Sequence, residues 1–488
     1  MSEATEEKKE ENEKEIKKII ITNEYNKQCN EAKYNINNFY QLYKELKDKD
    51  PLIQFKGLVG MKKLCKEEKK KENPKKLFNV LINNLIIFIK DYPETFQYES
   101  LICLKNIEKI NLSLEGEAKI VDNGIIILVL SRIKSRKELN MGKMLLKVYL
   151  SYIKTIVDDT NSLIEMLSGK ILDEAINIIN DYMKDDDLII VNECLKIFFN
   201  LLLNREDFDL KDFFQEKNKQ NSKKPEDIIK IVIDIMNNHP DKNQIMQLCL
   251  KIIELFSHED SENLDILIEL NILPKIIELI DSPNGDIIFL ALKIIGNFVM
   301  NENNIYTQII IDLNALDKLK KTLKREYDNL NKDIRKESSF AVSNIAAGTQ
   351  DQLIKLYEND FYDVLVDIIK NDEENCCKNN CLWALYNFSC IKNHHCLQEI
   401  VQKGFIRIII DRFHIDCGEV LGCSLEALYN ILEFGKKIEN PVSINFVEKE
   451  IKDLDIFNAV KQLKESNNEE ICQEKTKAIL NTFCRVSN

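Results

Sequence analysis

Four asparagines recur at the same place in four apolar helical runs. They are Asn297 in ALKIIGNFVM, Asn344 in SSFAVSNIAAG, Asn387 in CLWALYNFSC and Asn430 in SLEALYNILEF, at intervals of 47, 43 and 43 residues. Asparagine is a poor helix-interior residue, because its amide competes for backbone hydrogen bonds. A helix that returns to it at a fixed interval marks a repeat, and the amide marks a position the repeat can use.

Counting backward from Asn430 at this interval gives comparable helices around Glu254, Asn200, Ser151, Asn106 and Lys63. A looser last copy holds Asn481. Shorter helices are predicted between them, as at 273–280 (LPKIIELI) and 362–370 (YDVLVDIIK). A period of about 40–47 residues with two or three helices per unit is the armadillo/HEAT signature. Such units bury their apolar faces only by stacking. The predicted fold is therefore all-α, a right-handed superhelical solenoid of about ten armadillo repeats over residues 39–488. Residues 1–38, rich in Glu, Lys and Asn, are expected to form a mobile charged tail. The polar stretches 216–227 (EKNKQNSKKPED) and 325–333 (REYDNLNKD) are expected as surface insertions, and the lysine run 66–76 as a solvated loop.

Composition agrees with helices and narrows the function classes. Apolar residues make up 44% of the chain, while 13 Gly and 8 Pro are too few for a turn-rich β architecture. No apolar run reaches the roughly 18 residues of a membrane span, and the charged N-terminus has no signal-peptide core. The fourteen cysteines fall mostly within helical patterns, which predicts reduced, buried thiols. A net charge of −13 disfavours broad binding to nucleic acid or anionic membrane and suits a basic partner.

On the helix around Asn387, Cys381, Leu382, Leu385 and Phe388 share one side, which is the expected core face. Trp383 and Asn387 form an i, i+4 pair on the other side. An amide that donates and accepts, beside a ring that can pack on an aliphatic stem or under a cation, suits an extended peptide. The same offset pairs Phe340 with Asn344, Lys293 with Asn297 and Glu426 with Asn430. Each asparagine could instead bridge neighbouring helices, and Trp383 could pack under the next repeat.

Cys376, Cys377, Cys381, Cys390, His394, His395 and Cys396 cluster in sequence, but their spacing is not the paired pattern of a zinc site. His239, His258 and His414 are isolated and expected to face solvent. The phosphate-loop, dinucleotide, zinc-protease and nucleophile-elbow motifs are absent, so no metal, cofactor or enzymatic activity is expected.

Several of these segments resemble the importin-α (karyopherin-α) family of nuclear-import adaptors. ALKIIGNFVMNENNIYTQIII (291–311) is similar to that family's ALRAxGNIVTG-DxxTQ segment. KESSFAVSNIAAGTQDQL (336–353) is similar to its KEAxWxxSNIxAGxxDQI segment. CLWALYNFSC (381–390) and SLEALYNILEFGKK (424–437) resemble the two repeats that follow, and residues 46–68 weakly resemble the family's first repeat. The resemblance implies a concave surface that binds lysine-rich nuclear localisation signals at two sites.

Carried over to this chain, the smaller site would use Asn297, Asn344, Asn387, Asn430 and Trp383, with Lys293 where the family has Arg and Phe340 where it has Trp. Glu337 and Glu426 would neutralise ligand lysines, while Asn380 replaces a further Glu. At the larger site Asn106 and Asn200 persist, but Ile102, Lys147 and Lys196 stand in the aromatic positions and Ser151 replaces an asparagine. The family's basic N-terminal segment recruits importin-β. Here Lys8, Lys9, Lys14, Lys17 and Lys18 alternate with glutamates and residues 1–20 hold no Arg, a poor match to that segment. The resemblance thus points to an adaptor for basic signal peptides, in cytoplasm and nucleus, gripping mainly with its C-terminal half. An armadillo scaffold for protein–protein assembly without a role in import is the alternative.

Overall fold

The left-handed residues of the backbone set the repeat. Asn271 (φ 52°), Asn314 (φ 59°), Asp360 (φ 59°), Gly404 (φ 85°) and Asp455 (φ 46°) each stand just before a short helix. Gly tolerates this conformation freely, and Asn and Asp tolerate it better than other residues. In the computed structural model the described residues are 38–67, 75–112, 123–137, 141–157, 162–184, 188–203, 225–258, 261–324, 332–413, 418–437, 453–466 and 470–483. All but the last residue of the predicted tail, most of both insertions, residues 68–74 of the lysine run, and His414 lie outside them.

The chain divides into two compact units, Met1–Ile252 and Ile253–Asn488. In the second, three helices make a repeat. Asn304–Asp312, Ala315–Leu323 and Lys332–Ala346 are followed by Gln350–Glu358, Phe361–Asn371 and Asn375–Phe388. His394–Gln402, Phe405–Arg412 and Gly418–Lys437 form the next. Ahead of these lie Ser261–Glu269, Leu273–Glu278 with a 3-10 turn at Leu279–Asp281, and Gly285–Met300. Asn271, Asn314, Asp360 and Gly404 each make the turn from first to second helix. The predicted short helices at 273–280 and 362–370 are both present.

In the first unit the described repeats use two long helices, such as Lys75–Asp91 with Glu94–Leu112 and Ser162–Tyr182 with Ile189–Leu203. None of its described residues outside glycine has a positive φ. Between these two pairs lies Lys143–Val157, and Pro51–Glu67 precedes them.

The last helix of each repeat stacks on its counterpart. In the first unit Pro51–Glu67, Glu94–Leu112, Lys143–Val157 and Ile189–Leu203 form one row. In the second, Gly285–Met300, Lys332–Ala346, Asn375–Phe388 and Gly418–Lys437 form another. With Asn243–Ser257 and Glu470–Phe483, ten described helices occupy this register, as the period predicts for an armadillo-type solenoid. Burial explains the stacking. In Gly285–Met300, eleven residues are buried and the open ones follow a single helical stripe, Asp286, Phe289, Lys293, Asn297 and Met300. Each fully buried Leu, Ile or Phe in these rows is worth about 1.5–3 kcal/mol over an exposed one.

One ion pair locks neighbouring repeats of the second unit. Arg335 grips Asp372 with two bonds (Nε–Oδ2 3.0 Å and Nη2–Oδ1 3.3 Å), and Asp372 accepts the Glu374 N–H at 2.9 Å at the head of the next helix. The Asp372 side chain is 1% exposed, so its charge depends on that guanidinium.

Candidate peptide-binding ladder

The open stripes of the second unit carry the pairs read from sequence: Lys293 and Asn297, Phe340 and Asn344, Trp383 and Asn387, Glu426 and Asn430. Glu426 is exposed and the other seven are half-buried. What separates them is how each uses its polar atoms.

Asn297 donates backward to the Glu254 carbonyl at 3.3 Å and to Ser257 Oγ at 2.7 Å. Asn430 does the same to Ser389 Oγ at 3.1 Å. Both bridge neighbouring helices. Asn380 also reaches back, to Ser339 Oγ at 3.0 Å. Asn344 turns its Nδ2 to the Phe340 carbonyl of its own helix at 3.0 Å, leaving Oδ1 unengaged among the described residues. The Asn387 side chain has no hydrogen-bond partner among the described residues, and neither does the Trp383 indole N–H.

The charges divide likewise. Lys293 pairs with Glu254 at 2.5 Å and lies 5.9 Å from the centre of the Phe289 ring. Phe289, one turn before Lys293 on the same stripe, is an aromatic that the asparagine spacing does not reveal. Glu426 pairs with Lys475 of the last helix. Glu337 has no ion pair or hydrogen bond among the described residues. Burial pushes its carboxyl above the ordinary value. Lys336 and Lys293 pull it down, and Asp333 and Glu254 push it further up. Burial outweighs those two lysines, and it is a half-buried carboxylate that no cation contacts directly among the described residues. Phe340 packs against Gly296 of the preceding repeat, its Cδ1 3.4 Å from where a Cβ on that glycine would be. Glycine lets that ring close the floor between helices.

Unused capacity therefore concentrates on two helices, Lys332–Ala346 and Asn375–Phe388. A carboxylate, an amide, an indole and a phenyl ring stand there on adjoining stripes. The other positions hold the repeats together.

In the first unit, Asn106 donates weakly to the Lys62 carbonyl at 3.5 Å, and Asn200 is 8% exposed. Neither presents a free amide to solvent in the way Asn387 does. His239, expected to face solvent, is half-buried with its ring nitrogen 2.7 Å from the Met183 carbonyl; His258 is exposed. Every described cysteine is a free thiol. Cys377, Cys381 and Cys396 are buried while Cys376 and Cys390 are exposed, and among the described residues no group of three or more His, Cys, Asp or Glu is placed to hold a metal. Among the same residues, no helix is long and apolar enough to cross a membrane.

No family model matches the chain. Importin subunit alpha-1a of Oryza sativa subsp. japonica is 30% identical over 115 residues, 24% of this chain and 21% of that protein. Importin subunit alpha-8 of Arabidopsis thaliana is 22% identical over 253 residues, 51% of this chain and 56% of that protein. The chain thus spans from about a fifth to just over half of the length of these curated relatives. Among solved structures, an engineered protein aligns over 91% of this chain and 98% of its own, with a TM-score of 0.66 and 14% identity. That likeness concerns the fold alone.

Proposed function

We propose that this armadillo-repeat protein binds an extended basic peptide across the Lys332–Ala346 and Asn375–Phe388 helices. In this role it serves as an importin-α-like adaptor for lysine-rich nuclear localisation signals. The observation that carries the reading is Glu337, a half-buried carboxylate with no hydrogen bond or ion pair among the described residues, on the stripe beside Trp383 and Asn387, which are unengaged among the same residues. Isolated half-buried anions are unfavourable unless a cation completes them, and a ligand lysine is such a cation. The Asn387 amide can both donate to and accept from a ligand backbone, which fixes its direction without reading its sequence. Trp383 and Phe340 pack the aliphatic stem of a lysine, with the indole contributing a cation–π contact of roughly 0.5–2 kcal/mol. The flanking Asn297, Asn430, Lys293 and Glu426 shape the walls through their bonds to neighbouring repeats.

Partial similarity to two importin alpha subunits supports the basic signal peptide as the ligand class. Movement between cytoplasm and nucleus, and a transient complex with importin-β, belong to the same proposal. The reading assigns binding rather than catalysis.

Trp383 is the one tryptophan in the chain, so it reports on its own site. A lysine-rich signal peptide is expected to change the intrinsic tryptophan emission saturably, with an affinity that falls as salt is added. The double change Asn344→Ala, Asn387→Ala is expected to weaken binding by about tenfold or more, equivalent to roughly 1.4 kcal/mol. A basic peptide that binds without altering the emission, or that binds the double variant equally well, would place the site elsewhere.

A further inference from the structure

Along the ladder, the acidic positions on either side of Glu337 are already filled by cations of the chain. Glu254, which stands where neighbouring helices carry an asparagine, is paired with Lys293 at 2.5 Å. Glu426 is paired with Lys475. Between them Asn380, an amide, is bonded to Ser339 Oγ at 3.0 Å.

Lys293 makes the fuller set of contacts. Its ammonium meets the Glu254 carboxylate of the preceding helix and lies 5.9 Å from the centre of the Phe289 ring, one turn earlier on its own helix. A carboxylate for the charge and an aromatic ring beside it are also what Glu337, Phe340 and Trp383 offer a ligand lysine. Lys293 thus makes, within the chain, the contacts of a bound lysine. The Glu254 side chain is only 12% exposed, and a carboxylate so deeply set is costly without its cation. The Asn297 amide, one turn on from Lys293, donates to the Glu254 carbonyl at 3.3 Å and ties the two helices at this level.

The filled position adjoins the open one. Phe340 packs against Gly296, and Glu337 and Lys293 each stand three residues before that contact, on stacked helices. Lys293 and Glu254 both act electrostatically on the Glu337 carboxyl, in opposite directions.

We infer that Lys293 is a resident cation in the subsite next to Glu337, so that the ladder selects a peptide with one cationic residue at Glu337 and an uncharged residue about three positions away, facing Lys293. This rests on the basic-peptide reading and sets its specificity. Adjacent helices in such a row lie about 8–10 Å apart and an extended chain advances about 3.3 Å per residue, so positions facing neighbouring helices are roughly three ligand residues apart. A second ligand lysine at that spacing meets a carboxylate that is already neutralised and a like charge that repels it. An aliphatic or polar side chain meets neither penalty. A lysine-rich signal therefore seats one of its lysines at Glu337 without gain from another at the Lys293 position.

The test uses the full chain, Trp383 emission and three synthetic peptides built on alanine, serine and glycine. One carries a single lysine, and two carry a second lysine three residues before or after it, which covers both chain directions. In the wild type, at least one of the two placements should bring no gain over the single lysine. In Lys293→Gln that same placement should become about tenfold tighter than the single-lysine peptide, because Glu254 is released to a ligand cation. Lys293→Arg, which keeps the charge, should keep the wild-type ratio, and Glu254→Gln combined with Lys293→Gln should abolish the gain. Glu254→Gln alone leaves Lys293 charged without its carboxylate, and should make that placement weaker than the single lysine by about threefold or more. Each readout is a ratio between peptides on one protein, so a general change in stability or net charge does not move it. Equal shifts for all three peptides in Lys293→Gln, or a gain that survives loss of Glu254, overturn the inference and leave the basic-peptide reading standing. Failure of these peptides and of a lysine-rich peptide to change the emission of wild type or variants overturns both.

Discussion

Glu337 carries a stability cost that is useful only with a ligand. Its carboxyl is raised above the ordinary value of 4.5, chiefly by burial. In the unfolded chain it ionises first, so as pH rises from 4.5 through the folded value this group takes stability away from the native state. Glu337→Gln is therefore expected to leave thermal stability at neutral pH unchanged or higher while weakening a lysine-rich peptide by about tenfold, since a charge-assisted bond is lost. The wild-type affinity should decline as pH is lowered through the raised folded value of Glu337, because the protonated carboxyl offers no charge, and the Gln variant should lack that component. A loss of melting temperature in the Gln variant would mean that the carboxylate is structural. Sequence identified the residue type here but not its freedom. Glu426 has the same position in its repeat as the other ladder residues and looks equally available. Its partner Lys475 is 49 residues away, in a helix whose register is loose, so no local pattern announces the pairing. For the same reason Asn297 and Asn430 look like Asn387 in sequence, although their amides are engaged by Ser257 and Ser389 across the stack.

At the scale of the element, the period was readable because the third helices must bury nearly everything except one stripe, and that constraint repeats in the apolar pattern. The turns are readable in principle. Asn271, Asn314, Asp360 and Gly404 recur ahead of the second helices, and their residue types are those that accept a left-handed backbone. Gly404 is the plainest case, since a Cβ at this position would meet nothing within 4 Å and only the φ of 85° opposes a side chain. Gly404→Ala is expected to lower stability by roughly 1–2 kcal/mol through backbone strain alone. Asp360→Gly should stay within about 0.5 kcal/mol, because relief of strain offsets added freedom in the unfolded chain. Chemical denaturation of the two variants checks both. A neutral Gly404→Ala would mean that this turn relaxes out of the left-handed region. The contrast, among the described residues, between three helices per repeat after residue 260 and two before it is not readable from the interval, because both architectures fit periods near 40–47 residues.

At the scale of the molecule, a repeat chain distributes its stability through neighbours, each repeat being supported mainly by the ones it touches. Within the second unit, the Arg335–Asp372 pair is the place where this can be tested. Arg335→Ala leaves the buried Asp372 carboxylate with the Glu374 N–H but without its guanidinium, at a cost of about 3 kcal/mol. If stability were pooled uniformly, that loss would lower the protection of every amide in the unit alike. Nearest-neighbour support predicts a gradient instead. Hydrogen exchange should rise most in Lys332–Ala346 and Asn375–Phe388, then in Ala315–Leu323 and Phe361–Asn371 beside them, and least in Glu470–Phe483 at the far end of the unit. The two helices that loosen first also carry Glu337, Phe340, Trp383 and Asn387, so lysine-rich peptide affinity should fall with them although Arg335 is not on the open stripe. Adding saturating peptide should restore protection preferentially to those two helices, because a ligand that binds only the folded state stabilises what it touches. Uniform loss of protection across the unit would rule out the nearest-neighbour picture, and restoration centred on other helices would move the peptide site.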